Sequence, residues 1–324
     1  MDARQIFDIK NQDDFNSVAL QVFAFQYQHN HLYQEFCNHL SRTPENVSLI
    51  SDIPFLPIEF FKSNKVVCNA DTAAIVFSSS GTTGSSTSKH YVSDLKVYQE
   101  SFRQGFSYFY GDITQYTVLA LLPAYLERTG SSLIYMANDM IEQSNAKESG
   151  FYLHNIDQLA SHLKALDNSG RRILLIGVSF ALLDLIEKHQ FELKNTIVME
   201  TGGMKGKRKE LIRAELHQLL GKGFGVDKIH SEYGMTELLS QGYSNGDGVF
   251  KTPPWMKILA RDTEDPLSLL PEGKSGGLNI IDLANLHSCS FIATQDLGRV
   301  TTDSFEVIGR FDHSDVRGCN LMVL

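Results

Sequence analysis

The sequence predicts a mixed α/β fold in which helices cover both faces of a mostly parallel, doubly wound sheet. Two observations support this prediction: short, continuously apolar runs typical of buried parallel strands, and helical patterns that lie between them. The apolar runs are 73–77, 118–122, 173–176 and 196–199, and the helical patterns are 93–109, 156–166, 180–189 and 209–220. Sheets of this kind bind ligands at the carboxyl ends of their strands, so we expect the functional site there.

Different patterns flank this α/β core. The first fifty residues have helical patterns, and the prolines at positions 54 and 57 predict an extended connector over residues 51–65. After Pro253, strand-like runs at 256–260, 277–281, 291–294 and 305–308 are separated by turn residues, which predicts a small antiparallel β lobe. We therefore expect N-terminal helices and a connector over 1–65, the α/β core over 66–252 and the β lobe over 253–324.

Composition limits the classes of function. The chain has 324 residues, and 29 basic against 38 acidic side chains give a net charge of −9. This acidic balance argues against nucleic acid as a partner. No stretch approaches the roughly 20 apolar residues of a membrane span, and no signal-peptide core follows Met1. The cysteines at 37, 68, 289 and 319 have no paired spacing, which suits reduced thiols, so we expect a cytoplasmic enzyme.

The segment Ser78–Lys89 combines glycines with serine and threonine hydroxyls behind an apolar, strand-like run. Side chains this small let backbone N–H groups approach an anion closely, so the segment predicts a phosphate-binding loop. A flexible linker is the alternative, but linkers seldom follow a strand directly and end in a lysine. The spacing is not that of a Walker loop, which disfavours a kinase-like or GTPase function.

Three further motifs follow in order along the chain: residues 232–237 (EYGMTE), Asp296 within 293–299, and residues 309–312 (GRFD). An aromatic face suits a purine, and a carboxylate suits a hard cation that bridges phosphates. Taken singly, each motif is also compatible with an ordinary turn. Their common order, spread over residues 78–312, favours a nucleotide site.

Together these motifs resemble the signature of the adenylate-forming superfamily of acyl-CoA synthetases, luciferases and peptide-synthetase adenylation domains. The resemblance implies an ATP- and Mg²⁺-dependent enzyme whose glycine-rich loop binds phosphate. It implies that Tyr233 and the adjacent Gly234 lie against adenine, Thr236 meets the α-phosphate, and Glu237 holds Mg²⁺. Asp296 would bind the ribose hydroxyls, with Arg310 nearby and Asp312 at a hinge. The implied phosphate-binding residues are Ser79, Ser80, Gly81, Thr82, Thr83, Gly84 and Lys89.

The sequence departs from the superfamily pattern in two ways. No proline follows the loop, and Lys89 lies two positions later than the usual lysine. The sequence also ends at Leu324, shortly after the hinge motif, so we expect the superfamily's mobile C-terminal domain to be largely absent.

One branch with similar features is the LuxE-type acyl-protein synthetases, which activate fatty acids. The connector at 53–62 and the ending Arg317-Gly318-Cys319 resemble that branch, in which a near-terminal cysteine accepts the acyl group. Residues 201–203 instead resemble the glycine pair of phenylacetate-type coenzyme A ligases, which implies a role for Gly203 in binding.

We therefore expect ATP-dependent activation of a carboxylic acid, in the first instance a fatty acid, followed by acyl transfer to Cys319. A ligase that transfers to coenzyme A or an acyl carrier protein is the alternative enzyme. A non-catalytic, nucleotide-binding scaffold for an acyl reductase or acyltransferase is the alternative of another class. The residues expected to be catalytic are Thr236, Glu237 and Cys319, and Glu237 is the expected metal ligand.

Overall fold

Helices and strands alternate along most of the chain. The computed structural model describes residues 1–69, 73–79, 87–122, 130–152, 155–202 and 211–311. The helices are α1 Arg4–Phe7, α2 Gln12–His29, α3 His31–His39, α4 Phe60–Ser63, α5 Leu95–Tyr110, α6 Ser132–Ser144, α7 Ile156–Asn168, α8 Ser179–Lys188 and α9 Arg213–Phe224. The strands are β1 Leu56–Pro57, β2 Ile75–Ser78, β3 Lys89–Val92, β4 Thr117–Leu121, β5 Gly150–Phe151, β6 Ile173–Val178, β7 Thr196–Thr201, β8 His230–Tyr233, β9 Gly242–Ser244, β10 Val249–Lys251, β11 Met256–Arg261, β12 Ser275–Asp282, β13 Phe291–Val300 and β14 Phe305–Arg310. Among the described helices, none has the length and apolar character needed to cross a membrane.

One half of the central sheet is parallel, in the order β5-β4-β6-β7-β8. Every residue of β4 and β6 is buried, which explains why these strands are continuously apolar in sequence. Helix α6 packs on β4, while α8 packs on β6 and β7 with α9 beside it. The α/β prediction is confirmed, with the carboxyl ends of β7 and β8 near the middle of the sheet.

The other half of the sheet is antiparallel and continues from β8 in the order β9-β10-β14-β13-β12-β11. The antiparallel strands predicted after Pro253 are therefore present, and they are hydrogen-bonded into the same sheet as the parallel strands. The short strand β1 of the connector pairs in parallel with β13. The segment boundaries expected at residues 65 and 252 stay predictions.

The apolar run at 73–77 was expected to form a buried parallel strand, and this expectation is wrong. Strand β2 instead pairs antiparallel with β3 as a separate two-stranded hairpin, with Phe77 opposite His90. Only Phe77 of β2 is buried, and Val76 is 37% exposed. An apolar run of five residues has no periodicity that separates a core strand from one strand of a hairpin.

The N-terminal helices pack against the antiparallel half of the sheet. The Asn11 side chain accepts hydrogen bonds from the backbone N–H groups of Asp13 and Asp14, which starts α2. Apolar residues at helical spacing face inward from α2, and the last buried position is Gln26. Its amide donates to the carbonyl oxygens of Asn285 and Leu286, both at 3.0 Å. This helix therefore supports the loop before β13 by polar contacts as well as by packing.

Two carboxylates are buried at the carboxyl ends of β7 and β8. Burial alone would raise the pKa of Glu200, but His217, Arg213 and Ser231 on the same side lower it overall. Glu232 accepts a hydrogen bond from Thr201, its neighbour across the strands, and it points to the opposite face of the sheet from Glu200. Burial raises the pKa of Glu232 to about 7, since the Thr201 bond offsets only part of the cost and Glu200 adds to it.

Glu232→Gln tests this burial. A carboxyl whose pKa is raised in the folded state keeps its proton there, so stability is lost as pH rises from about 4.5 to about 7. We expect the variant to gain about 3 kcal/mol over wild type in the free energy of unfolding at pH 8, relative to their difference at pH 4.5. Urea unfolding at both pH values measures this, with the exposed carboxylate variant Glu215→Gln as the control. A gain that is the same at both pH values would contradict the assignment.

Candidate active site

The β2–β3 hairpin carries the glycine-rich loop. The backbone N–H of Ser79 donates to the Ser88 carbonyl oxygen at 3.0 Å, and the Ser88 N–H donates to Oγ of Ser79 at 2.9 Å. Lys89, at the start of β3, pairs with Ser78. The two ends of the loop are thereby held together. Ser80, Gly81, Thr82, Thr83 and Gly84 lie outside the described residues, so their predicted contacts with phosphate stay predictions.

Tyr233, Asp296 and Arg310 come together from three strands. Tyr233 ends β8, and its hydroxyl donates to Oδ2 of Asp296 at 2.8 Å. Asp296 and Arg310 lie directly opposite each other on β13 and β14, with Nε of Arg310 3.2 Å from Oδ1 of Asp296. Burial, with Asp296 nearby, raises the pKa of Tyr233 well above its usual range, so the phenol stays a donor.

This cluster leaves capacity for a ligand. A carboxylate can accept about four hydrogen bonds, and the described side-chain contacts of Asp296 use one on each oxygen. The Arg310 side chain is 49% exposed, so the guanidinium borders solvent at the open side of the cluster. Hydroxyl donors such as those of a ribose could therefore bind Asp296 without displacing Tyr233.

Glu237 lies at the base of the glycine-rich loop. Its side chain is buried close to the side chain of Ser88. Burial raises the pKa of the Glu237 carboxyl, and the Ser88 side chain together with the positive charges of Arg310 and Lys62 offsets part of that rise. The structure thus joins the two segments that the sequence predicts to bind phosphate and metal.

The donor set around Glu237 fits Mg²⁺. Within the described residues no group of three or more His, Cys, Asp or Glu side chains is arranged to hold a metal ion. Mg²⁺ in nucleotide sites is commonly bound by one or two carboxylates together with substrate phosphates and water. A single buried carboxylate beside Ser88, at the end of the glycine-rich segment, matches that pattern.

The loop over residues 234–241 follows β8 and carries Thr236 and Glu237, so it is the candidate catalytic loop, and its backbone is held from both sides. The ring nitrogen Nδ1 of His90 lies 3.0 Å from the Thr236 carbonyl oxygen, and Nδ2 of Asn285 donates to the Glu237 carbonyl oxygen at 2.8 Å. A Cβ at Gly234 would overlap Oε1 of Glu232, so a larger residue there would require the Glu232 carboxyl to move. Sequence analysis missed His90 and Asn285. The signal for His90 was its place directly after Lys89, at a strand position facing inward.

The remaining predictions concern the glycine pair at 202–203 and Cys319. Gly202, at the end of β7, has a φ of +69°, a conformation that favours glycine. Its neighbour Gly203 and the expected acyl acceptor Cys319 lie outside the described residues. The roles assigned to both stay predictions.

The family model described as acyl-protein synthetase, LuxE, matches residues 5–324. A curated relative, the long-chain-fatty-acid–luciferin-component ligase of Vibrio harveyi, is 24% identical over 346 residues, which cover 99% of this chain and 90% of the relative.

Solved structures share the fold at low sequence identity. The ATP-bound MatB of Rhodopseudomonas palustris is similar over 75% of this chain, with a TM-score of 0.55 and 19% identity. A 2-hydroxyisobutyryl-CoA ligase solved with 2-HIB-AMP and CoA is similar over 93% of this chain and 75% of the ligase, with a TM-score of 0.69 and 12% identity. The chain spans about half the length of the MatB structure, 49%.

The family model covers almost the entire sequence, and both the solved neighbours and the motif geometry agree with it. The protein therefore belongs to the LuxE family of acyl-protein synthetases and is an adenylate-forming acid–thiol ligase.

Proposed function

We propose that this protein activates a long-chain fatty acid with ATP and Mg²⁺ and transfers the acyl group to a protein thiol, that of Cys319. The single observation that carries the proposal is the junction of Glu237 with Ser88 at the base of the phosphate loop. The Vibrio harveyi relative is a long-chain-fatty-acid ligase, which supports the choice of acid. The proposed partner that uses the product is an acyl reductase or acyltransferase.

Asp296, Tyr233 and Arg310 are the proposed nucleoside-binding residues. Asp296 would accept hydrogen bonds from the ribose hydroxyls, and Tyr233 holds its carboxylate in place from the buried side. The aromatic face of Tyr233 would lie against adenine. Arg310 is exposed on the open side, where it would favour the negatively charged nucleotide.

Glu237, Thr236 and the loop residues are the proposed phosphate-binding residues. Mg²⁺, when bound, would neutralise charge on the phosphate oxygens. Attack by one oxygen of the fatty acid forms a bond to the α-phosphorus, while the bond to pyrophosphate breaks. The loop N–H groups and the Thr236 hydroxyl would stabilise the charge on the α-phosphate as that exchange occurs. Catalysis is then mainly a matter of position and electrostatics.

A thiol completes the reaction. Its thiolate attacks the acyl carbonyl carbon, the bond to the AMP oxygen breaks, and a thioester and AMP result. Cys37, Cys68 and Cys289 are all buried, and burial raises the pKa of Cys37 and Cys68 to about 12 and that of Cys289 well above its usual range. Thiols of this kind are unreactive, which leaves Cys319 as the acceptor on this chain.

Glu237→Gln tests the adenylation step. The variant keeps the shape of the side chain but removes the charge expected to bind the metal. We expect ATP–pyrophosphate exchange with tetradecanoic acid to fall by about 100-fold or more. The variant should stay folded, because a buried carboxyl with a raised pKa is being replaced by a neutral amide. Glu264→Gln, at an exposed position, is the control, and wild-type exchange in Glu237→Gln would remove Glu237 from the mechanism.

Cys319→Ser tests the acceptor. Incubation with ATP, Mg²⁺ and radiolabelled tetradecanoic acid should label the wild-type protein through a bond that neutral hydroxylamine cleaves. We expect Cys319→Ser to lose this label and to keep pyrophosphate exchange within about 3-fold, since adenylation precedes thiol attack. Cys68→Ala, which removes a buried thiol, should keep the label. Undiminished label in Cys319→Ser, or efficient release of acyl-CoA by the wild type, would favour transfer to coenzyme A or a carrier protein instead.

A further inference from the structure

We propose that His90 positions Thr236 against the phosphate loop, acting as a neutral hydrogen-bonded link between the β2–β3 hairpin and the catalytic loop. The inference rests on the proposed function, since it concerns the adenylation step. Among the described residues, the hydrogen bonds of the His90 ring reach the Thr236 carbonyl oxygen and the Ser288 hydroxyl, so His90 acts through Thr236.

The contacts of His90 define one tautomer. The side chain is fully buried, with Nδ1 3.0 Å from the Thr236 carbonyl oxygen and Nε2 2.8 Å from Oγ of Ser288. A carbonyl oxygen only accepts, so Nδ1 carries the hydrogen. In a neutral ring with its hydrogen on Nδ1, Nε2 accepts, so in this tautomer the Ser288 hydroxyl donates to Nε2 at 2.8 Å instead of to the Asn285 carbonyl oxygen at 3.3 Å. Burial lowers the pKa of His90 to about 4, which keeps this tautomer neutral at physiological pH.

The hairpin needs such a link because it stands apart from the central sheet. In the described part of the chain, β2 and β3 form backbone ladders only with each other. Two residues at the start of the β3 side of the hairpin make polar contacts with the catalytic loop. The Ser88 side chain contacts Glu237, and the His90 ring is hydrogen-bonded to the Thr236 carbonyl oxygen. The two hairpin residues are two positions apart, and the two loop residues are adjacent. These two contacts together therefore set both the distance and the relative orientation of the hairpin and the catalytic loop.

Ser288 and the His90 ring are themselves held in place by neighbouring residues. The Ser288 carbonyl oxygen accepts from Nδ2 of Asn30 at 2.8 Å, so the N-terminal helices fix the residue that holds Nε2. Phe61 packs edge-on against the His90 ring, with centroids 5.6 Å apart. Displacing a group that contacts the transition state by about 1 Å costs on the order of 100-fold in rate. A residue that fixes Thr236 to this tolerance should affect kcat more than substrate binding.

Two substitutions separate positioning from simple packing. The amide nitrogen of asparagine can occupy the place of Nδ1 and donate to the Thr236 carbonyl oxygen. The amide of glutamine reaches the place of Nε2 and loses that bond. Both remove the ring, so both should lower the unfolding midpoint to a similar extent. Ser288→Ala removes the second contact of His90 and leaves the first.

The test measures kcat and the ATP KM for pyrophosphate exchange, with the thermal midpoint of each variant. We expect His90→Gln to lose about 30-fold or more in kcat with an ATP KM within about 3-fold. His90→Asn and Ser288→Ala should keep kcat within about 5-fold of wild type. Equal loss in His90→Asn and His90→Gln, in proportion to stability, would reduce His90 to a packing residue, and full activity in His90→Gln would overturn the proposal.

A second measurement does not depend on activity. The ¹⁵N shifts of His90 in uniformly labelled protein, assigned by loss of the signal in His90→Asn, should show a neutral ring protonated at Nδ1 at pH 7. A ring protonated at Nε2, or at both nitrogens, would overturn the proposal regardless of activity. Absence of exchange in the wild type with any carboxylic acid would instead contradict the proposed function.

Discussion

The candidate catalytic loop, residues 234–241, depends on one buried carboxylate, Asp282 at the end of β12. Its Oδ2 accepts from the backbone N–H groups of Leu239 and Ser240, both at 2.9 Å, and its Oδ1 accepts from the Ser240 hydroxyl at 2.5 Å. Burial raises the pKa of Asp282, and these bonds offset part of that rise. A charge buried without such partners would cost several kcal/mol. The carboxylate thus fixes the end of the loop that begins at Tyr233, although the loop has no regular secondary structure.

Segments far apart in the sequence brace the same network. Asn285 holds the Glu237 carbonyl oxygen, and Gln26 of α2 holds the backbone of residues 285 and 286. On the other side, the indole N–H of Trp255 lies 3.0 Å from Oγ of Ser240. The metal-binding candidate and the first thirty residues are therefore parts of one hydrogen-bonded unit. The N-terminal helices, which carry no recognised motif, contribute to the site by holding its loop.

The sequence predicted those parts of the molecule whose signals are local. The buried strands β4 and β6 are evident from continuous apolar runs, and Tyr233, Asp296 and Arg310 are evident from motifs and do meet in space. Their roles toward a ligand stay predictions. Helix α6 was missed because two of its buried positions, Asp139 and Ser144, interrupt the apolar periodicity. Asp139 is tolerated there because it pairs with Arg103 of α5.

The parts that sequence could not predict depend on contacts between distant residues. His90 and Ser288 are 198 positions apart, and Gln26 and Ser290 are 264 apart. Each is an ordinary polar residue until its partner is known. Strand β2 was misassigned for the same reason, because its single buried residue, Phe77, packs against Tyr98 and Tyr135 outside its own segment. Burial of these polar and aromatic groups is decided by the whole fold, which a window of sequence does not contain.

The reaction proposed for this protein joins a carboxylate oxygen of the acid to the α-phosphate of ATP. Transfer of an oxygen isotope from the acid to AMP tests this step. Turnover of tetradecanoic acid carrying ¹⁸O in both carboxyl oxygens, with ATP, Mg²⁺ and hydroxylamine to release the acyl group, should give AMP that contains one ¹⁸O atom. Mass spectrometry of the AMP measures this. The label in inorganic phosphate, or unlabelled AMP after turnover, would contradict an acyl-adenylate and with it the role assigned to this site.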